Sequence, residues 1–162
     1  GMVTVGSDEV MFKPSLSKDQ VLQWLHHLRR YRPSQLTEIG SRVNQLSARL
    51  TSRHLLILLS DLHEPAALQS LKRAAQHHDV VVIQLRDPGE TQFRGTGFFE
   101  AREPETGRTF VTHGMKPWTD QETIVSQLKR GQIDHLLLPI EQPCAHQLRW
   151  FFKSRGLPGP KT

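Results

Sequence analysis

Cysteine is almost missing: Cys144 is the single one in 162 residues. No internal disulfide can form, and a reducing, cytoplasmic setting is expected. Long apolar runs are missing too. None approaches the ~18 residues of a membrane span, so no span is expected. Residues 3–12 are interrupted by Ser7, Asp8 and Glu9, which does not suit a signal peptide. There is no Gly-x-Ser-x-Gly elbow, no phosphate-binding glycine loop and no Cys-x-x-Cys pair, the signatures of three large enzyme and redox classes. Aromatics make up 7% of the chain, and no base-stacking platform is expected. The net charge of +5 is modest and scattered; it reads as a solvated surface, and no nucleic-acid partner is expected. No repeat or low-complexity segment breaks the chain. Its length suits one domain, expected over residues 2–157 with a tail at 158–162.

What is present is concentrated in residues 53–90. Residues 55–59 are an unbroken apolar run ending in Ser60-Asp61. Residues 80–85, interrupted only by Gln84, form a second run that ends in Arg86-Asp87-Pro88-Gly89-Glu90. Between them, Ala67, Leu68, Leu71, Ala74 and Ala75 give a helix one apolar face. The pattern is a βαβ unit with parallel strands and an acid just past the carboxyl end of each. In open α/β sheets that edge is where ligands bind.

The remaining segments fit around this unit. Residues 2–5 and 10–12 predict a β-hairpin. Ser17 opens a helix, with Gln20 three residues on as a capping-box partner, and Val21, Leu22, Leu25 and Leu28 are expected on its buried face with Trp24 beside them. Residues 34–51 carry Leu36, Ile39, Val43, Leu46 and Leu50 at helical spacing, with Gly40 weakening the first turns. Residues 97–101 and 108–112 predict an inserted hairpin, residues 118–130 a helix stopped by Gly131, residues 134–140 a third buried strand, and residues 143–155 a last amphipathic helix.

Several residues invite chemistry. Asp61-x-His63 after a strand is the opening motif of calcineurin-like metallophosphoesterases, where carboxylate and imidazole share a metal. The Gly-Asp-x-x-Asp and Gly-Asn-His segments that complete that site are missing. His26-His27 and His77-His78 are adjacent pairs that point about 100° apart on a helix and are better explained as partners of a helix dipole. Cys144 has no base placed to activate it and reads as a small residue in the last helix's first turn. For Asp61 the simplest reading is an N-cap for the following helix. The other is an oxygen ligand, shared with Thr37, for a hard cation such as Mg²⁺ at the carboxyl edge.

The order of elements resembles a von Willebrand factor A-type domain, and more narrowly the bacterial domain of unknown function family 58, associated with MoxR-type AAA+ ATPases. The residues that carry the resemblance are Leu56-Ile57-Leu58-Leu59-Ser60-Asp61-Leu62, Leu68-x-x-Leu71, His78-Asp79-Val80-Val81-Val82, Asp87-Pro88-x-Glu90, the turn Glu103-Pro104-Glu105-Thr106-Gly107, and Ile133-Asp134-His135-Leu136-Leu137-Leu138-Pro139 with the helix after it. The resemblance implies a Rossmann-like, three-layer α/β sandwich with a mostly parallel sheet and an inserted hairpin. It also implies that the first strand and helix are lacking, so that the A-like domain is partial and truncated at its N-terminus, and that the loss of this central strand leaves either a gap or a direct pairing of residues 3–5 with residues 55–59.

In A-type domains a metal-ion-dependent adhesion site combines Asp-x-Ser-x-Ser with a Thr and an Asp from later loops. Thr37 matches the Thr and Asp61 the later Asp, whereas Asp-x-Ser-x-Ser is missing from this sequence. The metal site is therefore expected to be partial and empty: no cofactor is expected, with Mg²⁺ held only if the missing motif were supplied. The implied role is non-enzymatic: a protein-interaction module that meets a MoxR-type AAA+ ATPase at an edge made of Thr37, Asp61 and Asp87. A homodimer through sheet edges is a further option. The alternative is a metal-dependent phosphohydrolase using Asp61 and His63.

Overall fold

The computed structural model describes residues 1–6, 10–31, 38–87, 98–102, 109–113 and 121–156. Its centre is a parallel sheet of three strands in the order β3-β4-β7: β3 (Leu55–Ser60), β4 (Asp79–Arg86) and β7 (Asp134–Pro139). Leu56 lies opposite Val80 and Ser60 opposite Gln84, while Ile83 lies opposite Leu136 on the far side. Parallel strands need crossovers of a dozen or more residues. The β3–β4 crossover is α3 (Pro65–Ala75), and α4 (Gln121–Arg130) leads into β7.

β4 is the spine, with Val80, Val81, Val82 and Ile83 all buried. Side chains alternate along a strand, so this run serves two cores. On one face Val80 and Val82 pack with Leu62, Leu71, Ala74, Ile124, Leu128 and Ile133, and Val43 of α2 (Ile39–Arg49) packs against the group. On the other face Val81, Ile83 and Leu138 pack with Leu148, Phe151 and Phe152 of α5 (Ala145–Ser154). Helices on both faces of a parallel sheet make the fold α/β and Rossmann-like, as expected. Arg155, just past α5, ties the amino ends of two strands: its Nη2 lies 2.6 Å from Asp79 and its Nε 2.7 Å from Asp134.

The two hairpins form as separate antiparallel pairs. β1 (Met2–Val3) pairs with β2 (Met11–Phe12), and β5 (Phe98–Arg102) with β6 (Thr109–His113). The direct pairing of the first strand with residues 55–59 is not formed. β1 is bonded to β2, and among the described residues no strand adjoins the outer edge of β3.

Helix α1 (Lys18–Arg30) starts where the sequence indicates, with the Ser17 hydroxyl accepting the Asp19 N–H at 3.2 Å. The capping box is not completed, because Ser15 Oγ takes the Ser17 N–H. The expected buried face is also corrected. Val21, Leu22, Leu25 and Leu28 are roughly half or more exposed, and no residue of α1 is buried. The helix turns Trp24, His27 and Tyr31 inward instead. His27 meets Phe12 edge-on with centroids 5.4 Å apart, and the Tyr31 hydroxyl donates to the Val5 carbonyl at 3.2 Å. Spacing of three to four marks an apolar stripe, but not which stripe finds a neighbour.

Candidate functional site: the carboxyl edge of the sheet

The loop after β3 is built by short polar bonds around one buried side chain. Ser60 Oγ accepts the Leu62 N–H at 3.0 Å, and Asp61 Oδ1 accepts the Ser60 hydroxyl at 3.3 Å and the His63 N–H at 3.4 Å. These bonds favour a tight turn over a continued strand. Leu62 sits in the left-handed region, φ 62°, and is 2% exposed in the main core. A leucine accepts that conformation only under strong packing. Burial of Leu62 fixes the loop, and Asp61 and His63 on either side are left facing solvent.

A second device holds the same loop from below. Gln84, buried on β4, donates from Nε2 to the Asp61 carbonyl at 3.1 Å and exchanges bonds of 3.2 and 2.9 Å with Gln121 at the start of α4. Its Oε1 also meets His135 Nε2 at 3.0 Å. Desolvation pushes the His135 pKa below its ordinary 6.5, which favours a neutral ring donating from Nε2. Both ends of the Gln84 amide are satisfied, as burial of an amide demands.

Glu64 adds the third tie. Its two carboxylate oxygens accept the N–H groups of Ile39 at 2.5 Å and Gly40 at 3.1 Å, so a side chain after β3 caps the helix before it. The start of α2 is thereby held at the carboxyl edge. Gly40 now has a reason: a Cβ there would lie 3.0 Å from Glu64 Oε1 and 3.2 Å from Ser70 Oγ.

The expected site residues divide as follows. Asp61 and His63 come together, with His63 Nε2 3.8 Å from Asp61 Oδ2. Asp61 is not the N-cap of α3. That position is Glu64, whose side chain serves α2, and Asp61 closes its own turn instead. Asp87 is exposed just past β4, on the same edge of the sheet. Thr37 lies outside the described residues, although its neighbours Glu38 and Ile39 are at that edge. Among the described residues no three His, Cys, Asp or Glu side chains converge as a cation would require. His78 is buried, with Nε2 3.1 Å from Ser47 Oγ. Cys144 is the exposed N-cap residue of α5 and makes no capping bond.

Glu64, Gln84, Gln121 and His135 were not anticipated. One of them had a visible signal: Gln84 is the polar residue that interrupts a buried strand, and such a residue must find partners.

A family model described as Protein of unknown function DUF58 matches residues 1–122. The chain belongs to the DUF58 family. The matched part of this DUF58 chain carries β1 to β6 and the carboxyl-edge loops, while β7 and α5 follow it. No curated protein and no solved structure matches the chain. Among its described residues, no helix is long and apolar enough to cross a membrane.

Proposed function

We propose that this DUF58 chain is a non-enzymatic protein-interaction module of the cytoplasm, that its fold is of the von Willebrand factor A type, and that it meets a MoxR-type AAA+ ATPase at the carboxyl edge around Asp61 and Asp87. The observation that carries the proposal is the construction of that edge. Leu62, Gln84 and Glu64 fix the backbone of residues 60–64 from three directions, while the Asp61 carboxylate faces solvent. A rigid loop presenting an acid loses little conformational entropy on binding, which is what a protein-recognition surface needs. Thr37 is included in this proposed interaction edge on the resemblance to A-type domains alone. Thr37 and Asp61 supply too few oxygens to hold Mg²⁺ by themselves.

The test is a titration of the purified chain with a purified MoxR-type ATPase from the same source. Asp61→Ala with Asp87→Ala is expected to weaken binding about tenfold or more, the usual cost of losing well-placed interface charges. Equal affinity for wild type and double variant removes the assignment. The phosphohydrolase alternative is read in parallel with an aryl phosphate and Mn²⁺: turnover lost in Asp61→Ala would replace the module by an enzyme using Asp61 and His63.

A further inference from the structure

The outer edge of β3 has a chemistry of its own. In the parallel ladder the Asp79 N–H bonds to the His54 carbonyl at 2.8 Å, and Leu55 is the residue opposite Asp79. That alternation sends the backbone groups of residues 54, 56, 58 and 60 toward β4. The N–H and C=O groups of Leu55, Ile57 and Leu59 therefore point away from the sheet. Their side chains share one face and are 41%, 46% and 63% exposed. The strand carries no charge, proline or bulge, the usual devices that protect a free edge.

The ends of this edge are charged in opposite senses. Arg53 is exposed two residues before Leu55, and Asp61 is exposed two residues after Leu59. Leu55, Ile57 and Leu59 share one parity of the strand, and Arg53 and Asp61 flank it at equal spacing. A two-fold axis perpendicular to the sheet and midway between two copies of Ile57 places Ile57 opposite Ile57, Leu55 opposite Leu59 and Arg53 opposite Asp61. Leu55, Ile57 and Leu59 are the residues of this strand whose backbone groups point outward, and about six new hydrogen bonds result from exchange within their pairs, with Arg53 and Asp61 meeting through their side chains beyond them. Sliding by one residue would oppose backbone groups that already serve β4. Sliding by two would set Arg53 against an apolar side chain or beyond the strand. The same operation merges the two exposed apolar stripes into one on a common face.

We infer that the chain forms a symmetric dimer by antiparallel pairing of β3 with β3 of a second copy, in the register Ile57 to Ile57, closed at both ends by Arg53 and Asp61. The occupant is a second copy because the edge is complementary to itself in backbone parity, side-chain face and charge, which an isologous interface requires. This inference does not rest on the ATPase proposal. Arg53→Glu affects the dimer and leaves Asp61 and Asp87 in place, so the two can fail separately.

The experiment is sedimentation or light scattering of the full chain over a concentration series, with circular dichroism as the control for folding. Wild type is expected at twice the monomer mass. Ile57→Lys sets two ammonium groups against each other at the axis, at a half-exposed position, so the chain is expected to fold. Its dimer dissociation constant should rise about a hundredfold. Arg53→Glu should weaken the dimer about tenfold, and Arg53→Glu with Asp61→Arg should restore it. A wild-type monomer at ~100 μM, far above the dissociation constants of specific interfaces, overturns the inference. So does a monomer whose Leu55, Ile57 and Leu59 amides resist hydrogen exchange, since another segment then covers the edge. A dimer indifferent to Ile57→Lys also overturns it, and failure of the charge reversal to rescue removes the register.

Discussion

The carboxylate of Glu64 accepts the backbone N–H of Gly40 at 3.1 Å, across 24 positions of sequence. One acid after β3 thus closes the N-terminus of the preceding helix, and the absence of a Cβ at Gly40 lets the two approach. Three effects act on a Gly40→Ala substitution. Alanine favours a helix by up to about 1 kcal/mol, whereas its Cβ would crowd Glu64 Oε1 at 3.0 Å and Ser70 Oγ at 3.2 Å, and displacing Glu64 would undo the cap. The last two are expected to win. Gly40→Ala should lower stability by about 1 kcal/mol, and Glu64→Ala by a similar amount. Urea titrations that show Gly40→Ala more stable than wild type would refute the close-approach argument.

Gln132 offers a change in the opposite direction. The end of α4 is a Schellman motif: Ile133 N–H bonds to the Leu128 carbonyl at 3.0 Å and Gln132 N–H to the Lys129 carbonyl at 3.0 Å. The left-handed residue is Gln132, φ 53°, and not Gly131 as its sequence position suggests. Gly131 serves a tight approach to Lys72, whose Cγ would lie 2.9 Å from a Cβ there. Gln132→Gly is expected to stabilise by about 0.5–1 kcal/mol, since glycine carries no Cβ penalty at that φ. A thermal midpoint unchanged or lowered would count against it.

Gln84 carries four bonds in a buried site. Gln84→Leu keeps the volume but leaves the Asp61 carbonyl, Gln121 and His135 short of a partner. The expected loss is about 2 kcal/mol, within the range for orphaned buried polar groups. The loop at Asp61 should also loosen, read as faster amide exchange at Leu62 and His63. Exchange rates equal to wild type would show that Leu62 alone holds the loop.

His135 should make stability fall in acid. Its pKa in the folded chain lies below 6.5 because burial disfavours the charged ring. The contribution is complete above about pH 6.5, where both folded and unfolded rings are neutral. It is lost as pH falls from there through the lower folded value, because the unfolded state takes the proton first. Urea titrations between pH 8 and 5 should show this slope, and His135→Gln should reduce it. Superimposable slopes would assign the acid sensitivity elsewhere.

The sequence displayed the sheet more clearly than the site. Residues 55–59 and 80–85 are apolar runs bounded by charge, and both are parallel strands; the run alone did not show that only 80–84 is buried on both faces, while Leu55, Ile57 and Leu59 are left exposed. Ser17 marked the start of α1 because a cap bond is local. Contacts that depend on partners distant in sequence were illegible. The side of α1 that turns inward is decided by Phe12 and Val5, and the cap on α2 by Glu64. Asp61 was found by its position after a strand, but its turn is fixed by Leu62, and no periodicity shows that a leucine will be held at positive φ.

Arg155 bears on the order in which the fold assembles. β3 and β4 are joined by one helix and close a short loop, while β7 enters about fifty residues later and pays a larger closure entropy. Arg155, last in the chain of these elements, reaches Asp79 and Asp134 only after β4 and β7 are side by side. It is expected to act as a late latch. Arg155→Ala should speed unfolding severalfold, for about 1 kcal/mol lost at partly exposed ion pairs, and leave the refolding rate nearly unchanged. During synthesis the β3–α3–β4 unit would then take shape first, with the far strand and its helix locked on only when the chain has emerged past residue 155.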